Sequence, residues 1–376
     1  HVYTQLDHAA WNGFTLTDLV FPNFLFLVGA SIIFSLEGRL ARGETRHGLA
    51  LHMLRRAGTL FAIKMLLTAF PHFYWTHLRL FGVLTRIAVC YLAVGLICLV
   101  SRKVRVLLAI AAGLLVGYWA MMRLVPVPGF GVPTQAMPIL DPERNLAAWM
   151  DRAFTAFTQR TIHTGTLYNG THDPEGLLST LPAIATTLMG AVAGVWMQRV
   201  GCADKGRAFG ILTRERCPIG LVAAGIAGIV LGLAWSPWFP INKNLWTSSY
   251  VLFSGGISPV LLALCSWLID QRRMNERPVG RALLWPWIVF GSNAIAAFVL
   301  SNFIVEVMLW IRVPAGALVN PGAPASSISA WLWVYQHGFA RGHSTEMSSL
   351  AFGLVFTALC FIPNWILWRR KIFLKI

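Results

Sequence analysis

Charge is what this sequence has least of. Asp, Glu, Lys and Arg together supply 12% of its 376 residues, roughly half of the ~25% usual in soluble domains. Beside 56% hydrophobic residues, that shortage excludes a soluble globule, because so little charge cannot clothe a surface of this size. Cysteine is sparse as well: Cys90, Cys98, Cys202, Cys217, Cys265 and Cys360 fall in apolar runs or basic loops. Neither a structural disulfide nor a thiolate metal site is therefore expected. No alternating strand pattern occurs. Since hydrocarbon cannot satisfy open backbone groups, that lack leaves helices as the route across a bilayer.

What the sequence does contain is long apolar runs, at 16–36, 49–70, 80–100, 104–123, 177–198, 218–236, 247–269, 283–311 and 347–368. Each approaches the roughly 20 residues that cross about 30 Å of hydrocarbon, and the 283–311 run is long enough to tilt. Residues 329–340 are too short to span and read as an interfacial or re-entrant helix. The expectation is an all-α polytopic membrane protein with about nine transmembrane helices. It forms a single domain over 1–376, with 124–176 as an extracytoplasmic loop.

Basic residues collect in alternate loops, as they do on cytoplasmic faces. With the loop that contains Arg39, Arg42 and Arg46 inside, 21 basic residues face the cytoplasm and eight face outward, while Lys64 and Arg86 fall within spans. The net charge of +16 then answers to anionic headgroups and an anionic cytosolic ligand, and no nucleic acid is needed. Histidine sorts the other way: His8, His72, His77, His163, His172, His337 and His343 all lie outside, with His1. Position 1 is not Met, and its placement in an outer loop suggests that one transmembrane helix precedes the given start.

Four polar clusters at the span ends carry the chemistry. His8, followed by Trp11 and Asn12, stands just before the first run, and Asp18 in its first turn. A neutral imidazole can take a proton from an amine or hydroxyl nucleophile while a carboxylate orients it. The structural alternative is that Asp18 only complements the helix start. His172, Asp173 and Glu175 precede the fifth run, where Asp173-Pro174-Glu175 reads as a helix start and as a polar mouth suited to a sugar's hydroxyls or ammonium. Asn242, Lys243, Asn244 and Trp246 precede the seventh. There Trp246 reads as an interfacial anchor, and Lys243 calls for an anionic or carbonyl partner. Arg86, inside the third run, needs a protein partner, for which Asp18 is the candidate. Asn293 and Glu306 need inward partners on the same ground.

The segments HAAWNGFTLTDLVFPNFLFLVGASI, GVLTRIAVCYL, DPEGLLSTLPAIATTLMG and PINKNLWTSSYVLFSGG resemble, in this order, the motifs of the heparan-alpha-glucosaminide N-acetyltransferase family and its bacterial relatives. The resemblance implies transfer of an acetyl group from cytosolic acetyl-CoA to the amine of a glucosamine-type sugar across the membrane. It also implies that His8, which matches the histidine of the family's motif, is catalytic, either as a base for direct transfer or as a transient carrier of the acetyl group. The family's asparagine upstream of that histidine has no counterpart here, in keeping with an N-terminally truncated chain. The large luminal domain of the animal enzyme is missing too, so heparan sulfate is not the expected acceptor. That absence, with 25 Arg to six Lys, points to a bacterial inner membrane and a periplasmic catalytic face.

On this reading Asp18 orients His8, Arg86 balances Asp18, and Asn244 is a candidate donor to the tetrahedral oxyanion. The substrate-binding set is Trp11, Asn12, Arg86, His172, Asp173, Glu175, Asn242, Lys243, Asn244 and Trp246, with no metal. The partners are the lipid bilayer, acetyl-CoA and an amino-sugar or glycan acceptor, and a homodimer is left open. Two alternatives remain: an N-acetylglucosamine transporter, which broken helices would favour, and an O-acyltransferase of envelope polysaccharide.

Overall fold

The computed structural model describes residues 1–200, 211–314 and 327–374, the side chains of 211–216 excepted. Cys202, Lys205 and Arg207 therefore lie outside the described residues, as do the side chains of Arg214 and Arg216. The structure is all-α. Helices run over Val20–Leu40 (α1), Arg46–Ala69 (α2), Val83–Val100 (α3), Val104–Leu124 (α4), Leu146–Ile162 (α5), Thr180–Val200 (α6), Ile211–Trp235 (α7) and Ser248–Ser266 (α8). Then follow Pro278–Ser292 (α9), Ala294–Trp310 (α10), Ala330–Val334 (α11) and Glu346–Arg369 (α12). The only described sheet is the antiparallel pair Arg312–Pro314 (β1) and Ser327–Ser329 (β2).

Among the described residues, seven helices are long and apolar enough to cross a membrane, or eight if the bent pair α9–α10 is one span. Of the nine expected runs, the one in α2 forms a continuous helix of 24 residues that falls short of this test on composition. Arg55 and Arg56 join Arg46 or Lys64 in any stretch of span length within it, and charge at membrane depth is unfavourable. The 283–311 run is not one tilted helix. It breaks at Asn293 with a 79° bend, and the Asn293 amide donates to the Ile372 carbonyl at 3.0 Å and accepts from the Leu374 N–H at 2.8 Å. Asn293 thus has the protein partners its position demanded, whereas Glu306 is exposed. Cys217 is disulfide-bonded, against the expectation of no disulfide.

The chain divides into two compact units. One comprises 1–7, 66–73 and 273–376 and holds α9 to α12 with the β1–β2 pair. The other, 8–65 and 74–272, carries α1, α3 to α8 and nearly all of α2, and every expected site residue falls within it.

In the larger unit α6 is the central post, packed on α1, α3 and α4, with α7 and α8 beside it. Small residues allow the approach. A Cβ added at Gly29 of α1 would collide with the Thr187 carbonyl, and one at Gly190 of α6 would collide with the Phe26 carbonyl, so these helices meet backbone to backbone. Between apolar helices in lipid, association depends on such close packing. At the end where α1, α3, α6 and α8 begin, Tyr118, Met122, Leu140, Leu146, Leu178, Phe239 and Leu245 form an apolar cluster on which Trp11 packs. That cluster is the floor of the polar site. A cavity of about 880 Å³ among α4, α6, α7 and α8, lined by Leu108, Leu115, Met189, Ala224 and Leu231 with others, contains none of the expected site residues.

Replacing Gly190 with Ala is expected to lower the thermal midpoint of the purified protein, at about 1–3 kcal/mol or more for a methyl forced against backbone. Gly58→Ala, where nothing lies within 4 Å of the added atom, should leave that midpoint unchanged or slightly higher.

Candidate functional site

The site is assembled from three connecting segments that converge at this end of the larger unit: 8–18 before α1, 164–179 before α6, and 239–247 before α8. Asp18 is its centre. Its carboxylate is buried at 1% residue exposure, in the short 3-10 turn Thr17–Leu19 that leads into α1. Oδ2 accepts the N–H of Ala9 at 3.1 Å, the N–H of Thr15 at 3.0 Å and the Thr15 hydroxyl at 3.2 Å. Oδ1 lies 2.7 Å from Nδ1 of His8. The Tyr250 hydroxyl donates to the Asp18 main-chain carbonyl at 2.5 Å, tying α8 to the same turn. A carboxylate so surrounded by donors holds the proton of His8 on Nδ1, which leaves Nε2 as the basic nitrogen.

Lys243 is the cation of this group. Its Nζ is 3.6 Å from Asp18 Oδ1 and 3.1 and 3.2 Å from Nδ1 and Nε2 of His8. An in-plane position equidistant from both ring nitrogens would overlap the ring carbons, so the ammonium lies over the ring face rather than on the in-plane lone pair of Nε2. Burial pushes the Lys243 ammonium down from its usual pKa, and Asp18 pulls against that shift. The His8 side chain keeps 54% of its surface exposed, while that of Asp18 keeps none. An anchored imidazole on an open edge is a geometry in which a general base can meet a substrate.

Two asparagines join the loops, the exposed Asn12 and the buried Asn242. Asn242 is fully buried: its side-chain carbonyl accepts the Leu245 N–H at 2.9 Å and its amide donates to Asn12 Oδ1 at 3.2 Å. The Gly13 N–H completes the clamp by donating to the Ile241 carbonyl at 2.8 Å. Asn12 and Asn242 thus hold the His8 loop against the Lys243 loop, and Asn244 is half-buried in the same turn. Trp246 is a correction. It is 1% exposed, so it is no interfacial anchor; its indole N–H donates to Thr186 Oγ1 at 3.2 Å and its ring carries the Arg86 guanidinium at 5.0 Å.

Arg86 is the second correction, because Asp18 is not its partner. Its Nη2 donates to the Gly176 carbonyl at 3.1 Å and to Ser179 Oγ at 2.5 Å, and Nε and Nη1 meet no hydrogen-bond partner among the described residues. The third concerns Asp173 and Glu175. Helix α6 begins at Thr180, too far along the chain for either to cap it. Both bind Arg79 instead, whose Nε and Nη2 donate to the two Asp173 oxygens at 2.7 and 2.6 Å and whose Nη2 reaches Glu175 Oε2 at 2.5 Å. Burial alone would lower the Arg79 pKa, but the two carboxylates outweigh it and raise it above the usual value. His172, buried and lowered in pKa mainly by that burial, meets Trp11 edge to face at 5.1 Å. Trp11 in turn donates its indole N–H to the Leu140 carbonyl at 2.8 Å.

No family model matches the chain, but curated relatives do. The human protein named heparan-alpha-glucosaminide N-acetyltransferase is 25% identical over 418 aligned residues, which cover 100% of this chain and 56% of the human one. Its mouse counterpart of the same name is 27% identical over 338, covering 79% of this chain and 49% of the mouse one. The chain is thus similar to heparan-alpha-glucosaminide N-acetyltransferases along its whole length. It spans about half the length of the relatives it matches. In the structure, His8, Asp18, Lys243, Asn12 and Asn242 are brought together directly. Trp11 and His172 join them from one side and Arg86 and Trp246 from beneath.

Sequence reasoning missed Arg79, Tyr250 and Asp151. The last sits on the buried face of α5, beside Ala147, Ala148, Thr155 and Thr158. A lone carboxylate on the inward stripe of an amphipathic helix was the signal that could have found it. Burial drives its carboxyl up to about 7, against the opposing pull of two backbone N–H groups. The raised value fixes the sign of its linkage: the folded state holds this proton more tightly than the unfolded chain. The contribution is therefore complete below about pH 4 and lost as pH rises through about 7. Asp151→Asn should remove that component, so the stability difference between wild type and variant should shift by roughly 2–4 kcal/mol between about pH 4 and about pH 8 in thermal unfolding.

Proposed function

We propose that this chain is a transmembrane acetyltransferase that moves an acetyl group from acetyl-CoA to the amine of a glucosamine-type sugar, with His8 as general base. The observation that carries the reading is the 2.7 Å contact between His8 Nδ1 and the buried Asp18 carboxylate on a half-open ring. The curated relatives bear the name of that activity. The alternation of basic loops supports a donor that enters from the cytoplasm and an acceptor on the opposite face. The bilayer in view is a bacterial inner membrane, and His8 then faces the periplasm.

The amine lone pair attacks the thioester carbonyl carbon, forming the C–N bond. His8 Nε2 takes the amine proton, and Asp18 stabilises the resulting imidazolium. Lys243, beside the same ring, is the donor best placed for the developing oxyanion, in place of Asn244. Collapse of the tetrahedral species breaks the C–S bond, and the proton on His8 passes to the departing thiolate. Arg79 offsets one of the two negative charges of Asp173 and Glu175, so this mouth is suited to sugar hydroxyls or an ammonium, with Trp11 and His172 beside it. The unpartnered Nε and Nη1 of Arg86 are donors in reserve for a substrate carbonyl.

Labelled acetyl-CoA and glucosamine, supplied to opposite sides of proteoliposomes, test this. Label should reach the sugar amine, and His8→Ala should slow transfer about 10²- to 10⁴-fold, as expected for loss of a general base. Lys243→Met should lower kcat about 10²- to 10³-fold with little change in acceptor KM. His8→Ala transferring as well as wild type would sink the base assignment. The 79° break between α9 and α10 is a feature that transporters share. Entry of labelled N-acetylglucosamine without CoA would favour that alternative, and label on a hydroxyl would favour the O-acyltransferase.

A further inference from the structure

The segment Thr171–Ser179 supplies His172 to the Trp11 side of the site and the Gly176 carbonyl and Ser179 hydroxyl to Arg86. It is neither helix nor strand, so regular backbone bonding does not fix its shape. Something else must. The Asp151 carboxylate, 2% exposed and projecting from the middle of α5, accepts the Asp173 N–H on Oδ2 at 3.2 Å and the Leu177 N–H on Oδ1 at 2.9 Å. These amides bracket the turn that contains Glu175 and Gly176, whose Gly176 N–H donates to the Asp173 carbonyl at 2.9 Å. The fit admits no added atom: a Cβ at Gly176 would collide with both Asp151 oxygens. Helix α5 is itself set firmly, with Asn145 capping its first turn through the Ala148 N–H at 2.9 Å and Leu146 and Ala147 embedded in the apolar floor.

We propose that Asp151 is a positioning residue for the acceptor site: by holding both ends of the Asp173–Leu177 turn to α5, it sets His172 against Trp11 and the Gly176 carbonyl beneath Arg86. This rests on the transferase reading for its kinetic consequence, but not for the tether itself. Asp151 touches none of the groups assigned to proton transfer. It acts through two backbone amides, on the part of the site that receives the sugar. Loss of the tether therefore weakens acceptor binding while the His8–Asp18 pair stays intact.

Asparagine has the shape of aspartate but can accept only one of the two N–H groups with its single carbonyl oxygen, and it turns an amide donor toward the other. In full-length Asp151→Asn protein the acceptor KM should rise about tenfold, the effect of one lost charge-assisted hydrogen bond, with kcat within about twofold of wild type. Gly176→Ala, which pushes the carboxylate off its amides, should give the same KM-selective change. Hydrogen exchange reads the tether without any catalysis: the Asp173 and Leu177 amides should be protected in wild type and exchange about tenfold faster in Asp151→Asn. Free-chain exchange of both amides in wild type would overturn the proposal, even if the variant does not fold. Faster exchange with an unchanged acceptor KM would overturn the positioning role, as would a loss confined to kcat. If wild type transfers no label at all, the transferase reading fails, and the exchange data still decide whether Asp151 holds the turn.

Discussion

A carboxylate that is almost wholly removed from solvent needs charge-matched company, and Asp18 obtains it from three directions at once. Burying an anion is unfavourable unless donors surround it. The donors are the Ala9 and Thr15 amides from its own loop, the His8 ring and Lys243 from the loop before α8, while Tyr250 holds its main-chain carbonyl. Remove that anion and the His8 loop and the Lys243 loop lose the charge that draws them together, although the Asn12–Asn242 and Gly13–Ile241 bonds remain. The Asn12–Asn242 clamp then reads as reinforcement of a junction whose electrostatic reason is Asp18.

Cations beneath the site are shared out by the same rule, in a way that spacing along the chain could not reveal. Asp18 and Arg86 both lie in the first turns of apolar helices, and each lacked an obvious partner, so pairing them was the economical reading. Which way a helix is rotated is not written in a run of apolar residues. In the structure, Arg86 turns toward Gly176, Ser179 and the face of Trp246, leaving Asp18 to Lys243. Lys243 itself was legible as a cation in need of an anion. Arg79 was not, because nothing local distinguishes it from an interfacial arginine until its contacts with Asp173 and Glu175 are seen.

The fold was read more completely than the site, for a physical reason. Runs of about 20 apolar residues have one solution in lipid, and their existence needs no knowledge of neighbours. The misreadings fall where composition and backbone part company. Helix α2 forms over nearly its full expected length yet carries too much charge for a span, and the run through Asn293 is apolar enough to read as one span yet bends by 79°. The His8–Asp18 contact before α1 was legible because both residues belong to one short stretch. By contrast, Asp151 acts on backbone amides 22 and 26 residues away, which no local motif records.

The most direct measurement of the central claim is the protonation pattern of the His8 ring by nitrogen-15 magnetic resonance, with the signal assigned by its loss in His8→Gln. If Asp18 fixes this imidazole, neutral His8 will carry its proton on Nδ1 with an unprotonated Nε2, and Asp18→Asn will return it to a mixture of tautomers. A ring protonated on Nε2 in wild type, or one whose tautomer balance ignores Asp18→Asn, would contradict the account.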